Sequence, residues 1–299
     1  MSEIKVNWGR KITLENAERI GHGYYSEVYR IDPETVVKVL KEGTLADAER
    51  EIQLSKWALL NGIPTAISYD VADVEGHPGL VYELLGRGSL RDRILDHPED
   101  FDRQMRQYAA LLHSIHAAAD TEGRLPKAAD RYRARLDGLA CLTEDERKRM
   151  HTLFDTLPET SHIVHCDCHF KNIKVVDDEL MLIDLDTLSR GDPIFDFACM
   201  HSSYKSFSEA RHLTENDKFF DMPVATEERI LFTVIRYYFE GLDEAALESN
   251  IEKIALLSYY DVVLFALTAT TGTYYDVPGM LDVFRSLLWK VDDLRLVYK

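Results

Sequence analysis

The stretch from Ser161 to Ala198, SHIVHCDCHFKNIKVVDDELMLIDLDTLSRGDPIFDFA, constrains this chain more than any other. Two short apolar runs, Ile163-Val164 and Ile173 to Val176, flank a polar loop, and a third, Leu180 to Ile183, follows a two-acid turn at Asp177-Asp178. Runs this short, bounded by turn-forming residues, read as strands. The loop carries His165, Asp167 and Asn172 in the spacing H-x-D-x-x-x-x-N, and the third run ends on Asp184. A carboxylate, an amide and a second carboxylate are thus expected in polar loops at strand ends.

This order of features resembles the catalytic core of the aminoglycoside phosphotransferase and choline kinase branch of the protein-kinase-like fold. It is less like the protein kinases themselves, because Asp184-Leu185-Asp186 stands where they carry D-F-G and no A-P-E segment follows. Phosphoryl transfer asks a protein mainly for positioning and for cancellation of phosphate charge. The resemblance implies that Asp167 is the base at the acceptor hydroxyl. It implies that Asn172 and Asp184 give oxygen ligands to Mg²⁺, with Asp186 a further ligand of the metal or of its water. His165 is implied to brace the loop by hydrogen bonding, and Asp192 and Asp196 to be structural acids behind it.

His165, Cys166, Cys168 and His169 invite a zinc reading, since thiolate and imidazole suit that ion. The spacing opposes it: structural zinc sites use C-x(2 to 4)-C pairs with a second pair far along the chain, and Cys141 and Cys199 are the only other thiols. In an extended loop, Cys166 and Cys168 would point away from Asp167. Buried thiols are the expectation.

The segment from Ile12 to Leu40 reads as three strands. Gly21-His22-Gly23-Tyr24-Tyr25-Ser26 resembles the kinase glycine-rich loop, with Ser26 where the third glycine would stand. Its use would be to let backbone N–H groups approach nucleotide phosphates; an ordinary hairpin turn is the other reading. Lys38 interrupts the apolar strand TVVKVL, which is costly unless its ammonium reaches a partner. In the resembled families that partner is the nucleotide's phosphates, with a glutamate from the next helix. That helix is expected from Leu45 to Asn61, with Ile52, Leu54 or Ser55, Leu59 and Leu60 buried; Glu51 is the first choice of partner and Glu49 the second. Strands at Ala66 to Val74 and Leu80 to Leu84 flank a turn at Gly76 to Gly79. Leu84 to Leu90 resembles the hinge, where backbone groups from Glu83 to Leu85 would meet the base, with a helix starting near Ser89.

The rest reads as helical: Phe101 to Ala119, Thr226 to Gly241, Glu244 to Phe265 and Val277 to Val297. The charged segment from Asp120 to Arg135 gives no clear pattern, and His113 and His116 read as packing or capping residues. The expected fold class is α+β and bilobal. Residues 1–85 form a nucleotide-binding lobe of antiparallel sheet plus one helix, and 86–299 a larger, mainly helical lobe. At 299 residues, 45% hydrophobic and 29% charged, the composition is that of a soluble globular chain. The start, MSEIKVNWGRK, has no apolar signal-peptide run, and the thiols fit a reducing compartment, so a cytoplasmic location is expected.

A net charge of −17 argues against nucleic acid or an anionic membrane as partner and accords equally with a cationic substrate and with acids that only keep the protein soluble. Tyr237-Tyr238, Tyr259-Tyr260-Asp261 and Tyr274-Tyr275-Asp276 set rings beside acids, which suits either an ammonium ligand or helix packing. The C-terminal end departs from the acidic ending of well-known aminoglycoside-modifying enzymes. The expected activity is transfer of the γ-phosphate of Mg-ATP, with GTP as the alternative donor, to a hydroxyl of a small molecule. The alternatives are a kinase-like nucleotide-binding regulator and a kinase-like enzyme acting on a protein.

Overall fold

The computed structural model describes residues 10–23, 26–86, 88–268 and 273–299. The first elements are β1 (Arg10–Ile12), β2 (Glu18–His22), β3 (Ser26–Arg30), β4 (Thr35–Leu40), α1 (Leu45–Leu60), β5 (Ser68–Val74), β6 (His77–Glu83) and α2 (Leu90–Asp96). Helices α3 (Phe101–Ala117), α4 (Ala128–Leu136) and α5 (Glu144–Phe154) lead to β7 (Ile163–Val164), β8 (Ile173–Val176), β9 (Glu179–Leu182) and β10 (Ser189–Arg190). The remainder is α6 (Ile194–His201), α7 (Phe207–Ala210), β11 (Lys218–Phe219), β12 (Met222–Pro223), α8 (Val224–Tyr238), α9 (Glu244–Thr268) and α10 (Val277–Lys290). The chain divides into two compact units, one of residues up to Arg93 with Phe170–Asp186, the other of Ile94–His169 with Thr187–Lys299.

The first unit is built on a sheet in the order β1-β5-β6-β4-β3-β2, antiparallel except where β1 lies beside β5. The three strands expected between Ile12 and Leu40 are β2, β3 and β4; before them Arg10–Ile12 forms a further edge strand paired with Ala72–Val74. The β5–β6 turn falls at Glu75-Gly76, with φ of 53° and 93°, instead of across Gly76 to Gly79. Two successive left-handed residues make the tight turn whose twist suits a hairpin, so His77 and Pro78 pair with Val74 and Asp73.

Helix α1 begins at a reciprocal cap between Thr44 and Asp47 and buries Ala48, Glu51, Ile52, Ser55 and Ala58, one stripe at helical spacing. Leu59 and Leu60, expected inside, are exposed: the stripe ends at Ala58, and both leucines fall off it beside the Asn61-Gly62 terminus. Strands β8 and β9 form a hairpin closed at Asp177-Asp178, whose φ values of 48° and 69° fit the two-acid turn.

The second unit is mainly helical. On α3, Met105, Tyr108, Leu112 and Ile115 are wholly buried, as its amphipathic pattern requires. The segment that gave no clear pattern contains α4, and α5 follows it behind a cap between Thr143 and Glu146. Helix α10 stops at Lys290, not near Val297. Beyond it the chain runs extended, because Asn250 bonds both the N–H and C=O of Val297 and Lys253 bonds Asp293 and the Arg295 carbonyl. Among the described residues no helix is long and apolar enough to cross a membrane.

Candidate active site

In β4, Val37 and Val39 pack with Ile12, Ala72, Val74 and Val81 on one face, while Leu40 packs with Ala48, Ile52 and Leu80 on the other. The two-residue period puts Lys38 on the face of Leu40, toward α1. There its Nζ meets Glu51 Oε1 at 2.9 Å and also bonds Asp184 Oδ1. Glu51 lies on the buried stripe of α1, whereas Glu49 is exposed. Tyr82 donates its hydroxyl to Glu51 Oε1 at 3.2 Å. Burial alone would lower the Lys38 ammonium's pKa; the carboxylates of Asp184, Glu51 and Asp186 outweigh it and hold the group charged far above neutral pH.

The β8–β9 register brings the other oxygen donors to the same end of one hairpin. Ile173 pairs with Leu182, so Asn172 and Ile183 face each other, and the Ile183 N–H donates to the Asn172 carbonyl at 2.9 Å. Asp184 is the next residue, turned by a left-handed φ of 64°. Asp186 follows in a short helical turn and is exposed. An amide and two carboxylates at one hairpin end offer oxygen donors, the kind that suits a hard cation such as Mg²⁺ and not a soft one.

The remaining nucleotide-site expectations fall on β2, β3 and the end of β6. Gly21 faces Val28, and the Gly23 N–H donates to the Ser26 carbonyl at 2.8 Å, closing the β2–β3 hairpin. A Cβ at Gly21 or Gly23 would meet its nearest neighbour among the described residues at 3.5 or 3.4 Å, ordinary contact distances for a methyl group. Tyr24 and Tyr25 lie outside the described residues. The Glu83 N–H is bonded to the Ile67 carbonyl and the Leu84 N–H to the Glu34 carbonyl, while Leu85 is buried. Arg87 lies outside the described residues; Ser89 caps α2 by exchanging bonds with Asp92.

In the second unit the loop after β7 is held by its backbone. Asp196 on α6 accepts from the N–H groups of His165 and Cys166, at 3.0 and 2.5 Å, and from His116 Nε2 at 2.9 Å. Burial would raise the Asp196 carboxyl, but the bond from His116, the nearby imidazoles and the bond from the Cys166 N–H together outweigh it and hold the pKa below the usual carboxylate range. A carboxylate only accepts, so His116 Nε2 carries a proton, and in the neutral imidazole Nδ1 accepts from the Tyr238 hydroxyl at 2.8 Å.

His165 is fully buried; its Nδ1 accepts from the Asp167 N–H at 3.2 Å, and its carbonyl accepts from Thr187. Asp167 keeps its side chain 39% exposed, with His169 Nε2 3.6 Å from its Oδ1. Cys166 and Cys168 are buried; burial pushes the Cys166 thiol up to about 12, where it stays protonated. Asp192 accepts from the Ile194 N–H and so caps α6.

Sequence reasoning missed His116, Tyr238 and Tyr108 as partners of this loop. Tyr108 donates to the Cys168 carbonyl at 2.5 Å. Each stands among apolar residues on a helix, where the pattern gives burial without naming what the polar tip meets. In the first two tyrosine–acid groups the hydroxyls of Tyr237, Tyr259 and Tyr260 are occupied within the fold, whereas Tyr274 is exposed. Tyr237 bonds Asp102 beneath the Arg106 guanidinium, Tyr259 bonds Glu209 at 2.5 Å, and Tyr260 bonds the Tyr132 carbonyl at 2.8 Å.

A mixed sheet with one helix whose buried acid pairs a strand lysine, together with a carboxylate loop in a helical unit, defines a chain of the bilobal protein-kinase-like, α+β type. Solved structures with that fold match nearly end to end. An ADP-bound aminoglycoside phosphotransferase superposes with a TM-score of 0.55 at 15% identity, covering 95% of this chain and 94% of its own. A choline/ethanolamine kinase family protein from Mesorhizobium loti gives 0.58 at 12% identity, covering 93% and 89%.

The phosphotransferase enzyme family model matches residues 16–227, and the chain belongs to that family. Viomycin phosphotransferase of Streptomyces vinaceus is 31% identical over 145 residues, 42% of this chain; the match spans half the length of that relative.

Proposed function

We propose that this protein transfers the γ-phosphate of Mg-ATP to a hydroxyl of a small, cationic molecule. The observation that carries the reading is the Lys38 ammonium held between Glu51 and Asp184, with Asn172 and Asp186 at the same hairpin end. Such an arrangement has no evident structural need, since an apolar residue would pack between Leu40 and Leu80 without the cost of burying a charge. It suits a polyanion whose phosphates take over from Asp184 as the lysine's partner. That a methyl group at Gly21 or Gly23 would make only ordinary contacts with the described hairpin residues supports the use of these glycines for close approach of phosphates to backbone N–H groups.

In this reading Lys38 binds the phosphates and Glu51 fixes its direction. Asn172, Asp184 and Asp186 hold Mg²⁺, which when bound neutralises charge on the phosphate oxygens. Backbone groups from Glu83 to Leu85 orient the base, and Ser26 adds a hydroxyl donor near the phosphates. Asp167 accepts the proton of the acceptor hydroxyl as the oxygen attacks in line. The net charge of −17 favours a cationic acceptor over an anionic one. A cytoplasmic setting, where nucleotide is abundant and thiols stay reduced, belongs to the proposal.

The test is transfer of label from γ-labelled ATP, and in parallel GTP, with Mg²⁺, into aminoglycosides, peptide antibiotics, amino alcohols, hydroxy amino acids and sugars. Label in a cationic hydroxyl compound is expected. Label only in an anionic sugar would overturn the substrate class, and label only in a protein would overturn the small-molecule reading.

A further inference from the structure

The loop that carries Asp167 is strained and is gripped on both sides. Cys166 has φ of 62°, in the left-handed region that a non-glycine residue occupies only at a cost of about 1 kcal/mol. Something must hold it there. At the start of the loop Asp196 takes the His165 and Cys166 N–H groups; beyond Asp167, Tyr108 holds the carbonyl of Cys168. Asp167 therefore sits between two grips, one on amide hydrogens and one on a carbonyl.

The second grip is itself supported from another element. Tyr108 has one hydroxyl proton and gives it to Cys168, so its oxygen accepts from the Tyr204 hydroxyl at 3.2 Å. Both rings are fully buried. Tyr204 lies in a π-helical turn, Ser202–Ser206, and such wide turns are rare in helices and often serve a function. A buried hydroxyl cluster ties the turn to α9: His201 Nδ1 meets the Ser206 and Ser258 hydroxyls at 2.9 and 3.0 Å, and Ser258 meets Ser202 and Ser206 at 3.0 and 2.9 Å. Burial keeps His201 neutral, pushing its pKa down to about 3. Hydroxyl–hydroxyl–carbonyl chains of this kind reinforce one another in a dry interior.

We propose that Tyr108 is a positioning residue for Asp167, set by Tyr204 and the π-helical turn, and that its bond to the Cys168 carbonyl keeps the loop in the conformation needed for transfer. The proposal rests on the reading of Asp167 as the base.

Its test is Tyr108→Phe, which keeps the ring and its packing, compared with Tyr204→Phe. Two measurements are made: steady-state transfer, and amide hydrogen exchange over residues 161–170. Tyr108→Phe is expected to lower kcat roughly tenfold with nucleotide KM unchanged within twofold, and to speed exchange in 161–170 selectively. Tyr204→Phe should do the same to a smaller extent. A kcat within twofold of the parent, or exchange in 161–170 no faster than in the parent, would overturn the proposal. Should the parent transfer phosphate to no acceptor, the role of Asp167 fails separately. Exchange alone then decides whether Tyr108 restrains the loop: selective speeding upholds the restraint and unchanged rates reject it.

Discussion

The two units carry their parts of the chemistry in different ways. In the first, the candidate groups are charges meeting charges: Lys38 against Glu51 and Asp184, with Asp186 adding to the field. In the second, one carboxylate, Asp167, is left half open while buried polar groups hold the backbone around it. In the proposed function the first arrangement binds nucleotide through side-chain charge and should follow nucleotide affinity. The second sets direction through hydrogen bonds to main chain and should follow turnover.

Variants that separate affinity from turnover sharpen this contrast. The largest effect short of removing Asp167 is expected from Lys38→Met, which leaves Glu51 buried without its cation. Breaking a buried pair on one side costs about 3 to 5 kcal/mol, less here because Asp184 is partly exposed, and nucleotide affinity should fall at least a hundredfold in a titration. Asp196→Asn should come next. It keeps the shape but weakens two amide bonds and the His116 contact, lowering kcat about a hundredfold while nucleotide Kd stays within threefold. Equal losses of affinity in both variants would erase the distinction between the units.

A pH titration reads a buried imidazole of the second unit. His201 is neutral in the fold with its pKa near 3, while the unfolded chain binds a proton near pH 6.5. The unfolded state thus holds the extra proton between those values, so stability is full above pH 6.5 and falls as pH drops through that window, by up to about 1.4 kcal/mol per unit. Denaturant midpoints between pH 7 and 5, above most carboxylate titration, should show this slope, and His201→Asn should flatten it, leaving the part that burial of His113 contributes. The smallest effect belongs to Leu60→Glu: this side chain is 85% exposed, so the melting temperature should hardly move, whereas Ile52→Ala on the buried stripe should cost about 2 to 4 kcal/mol.

What could be read from the sequence follows the same division. Lys38 in an apolar strand and the H-x-D-x-x-x-x-N spacing are conspicuous because a charge in such a place needs a reason. The choice of Glu51 over Glu49 rests on helical phase, which the stripe of Ala48, Ile52 and Ser55 fixes. The misjudged details were boundaries where local signals compete. Gly76 to Gly79 looks like one turn, yet only Glu75 and Gly76 adopt left-handed backbone. Leu59 and Leu60 look like core, yet the stripe has already ended. The grips of His116, Tyr238 and Tyr108 stayed hidden because their partners lie far along the chain and include main-chain atoms, about which residue type says nothing.

The measurement that tests the account most directly is γ-phosphate transfer by Asp167→Asn beside the parent, with Mg-nucleotide affinity taken by calorimetry on both. The account predicts transfer reduced by about a thousandfold or more at a nucleotide Kd within twofold of the parent. Transfer at a comparable rate in the variant would contradict it.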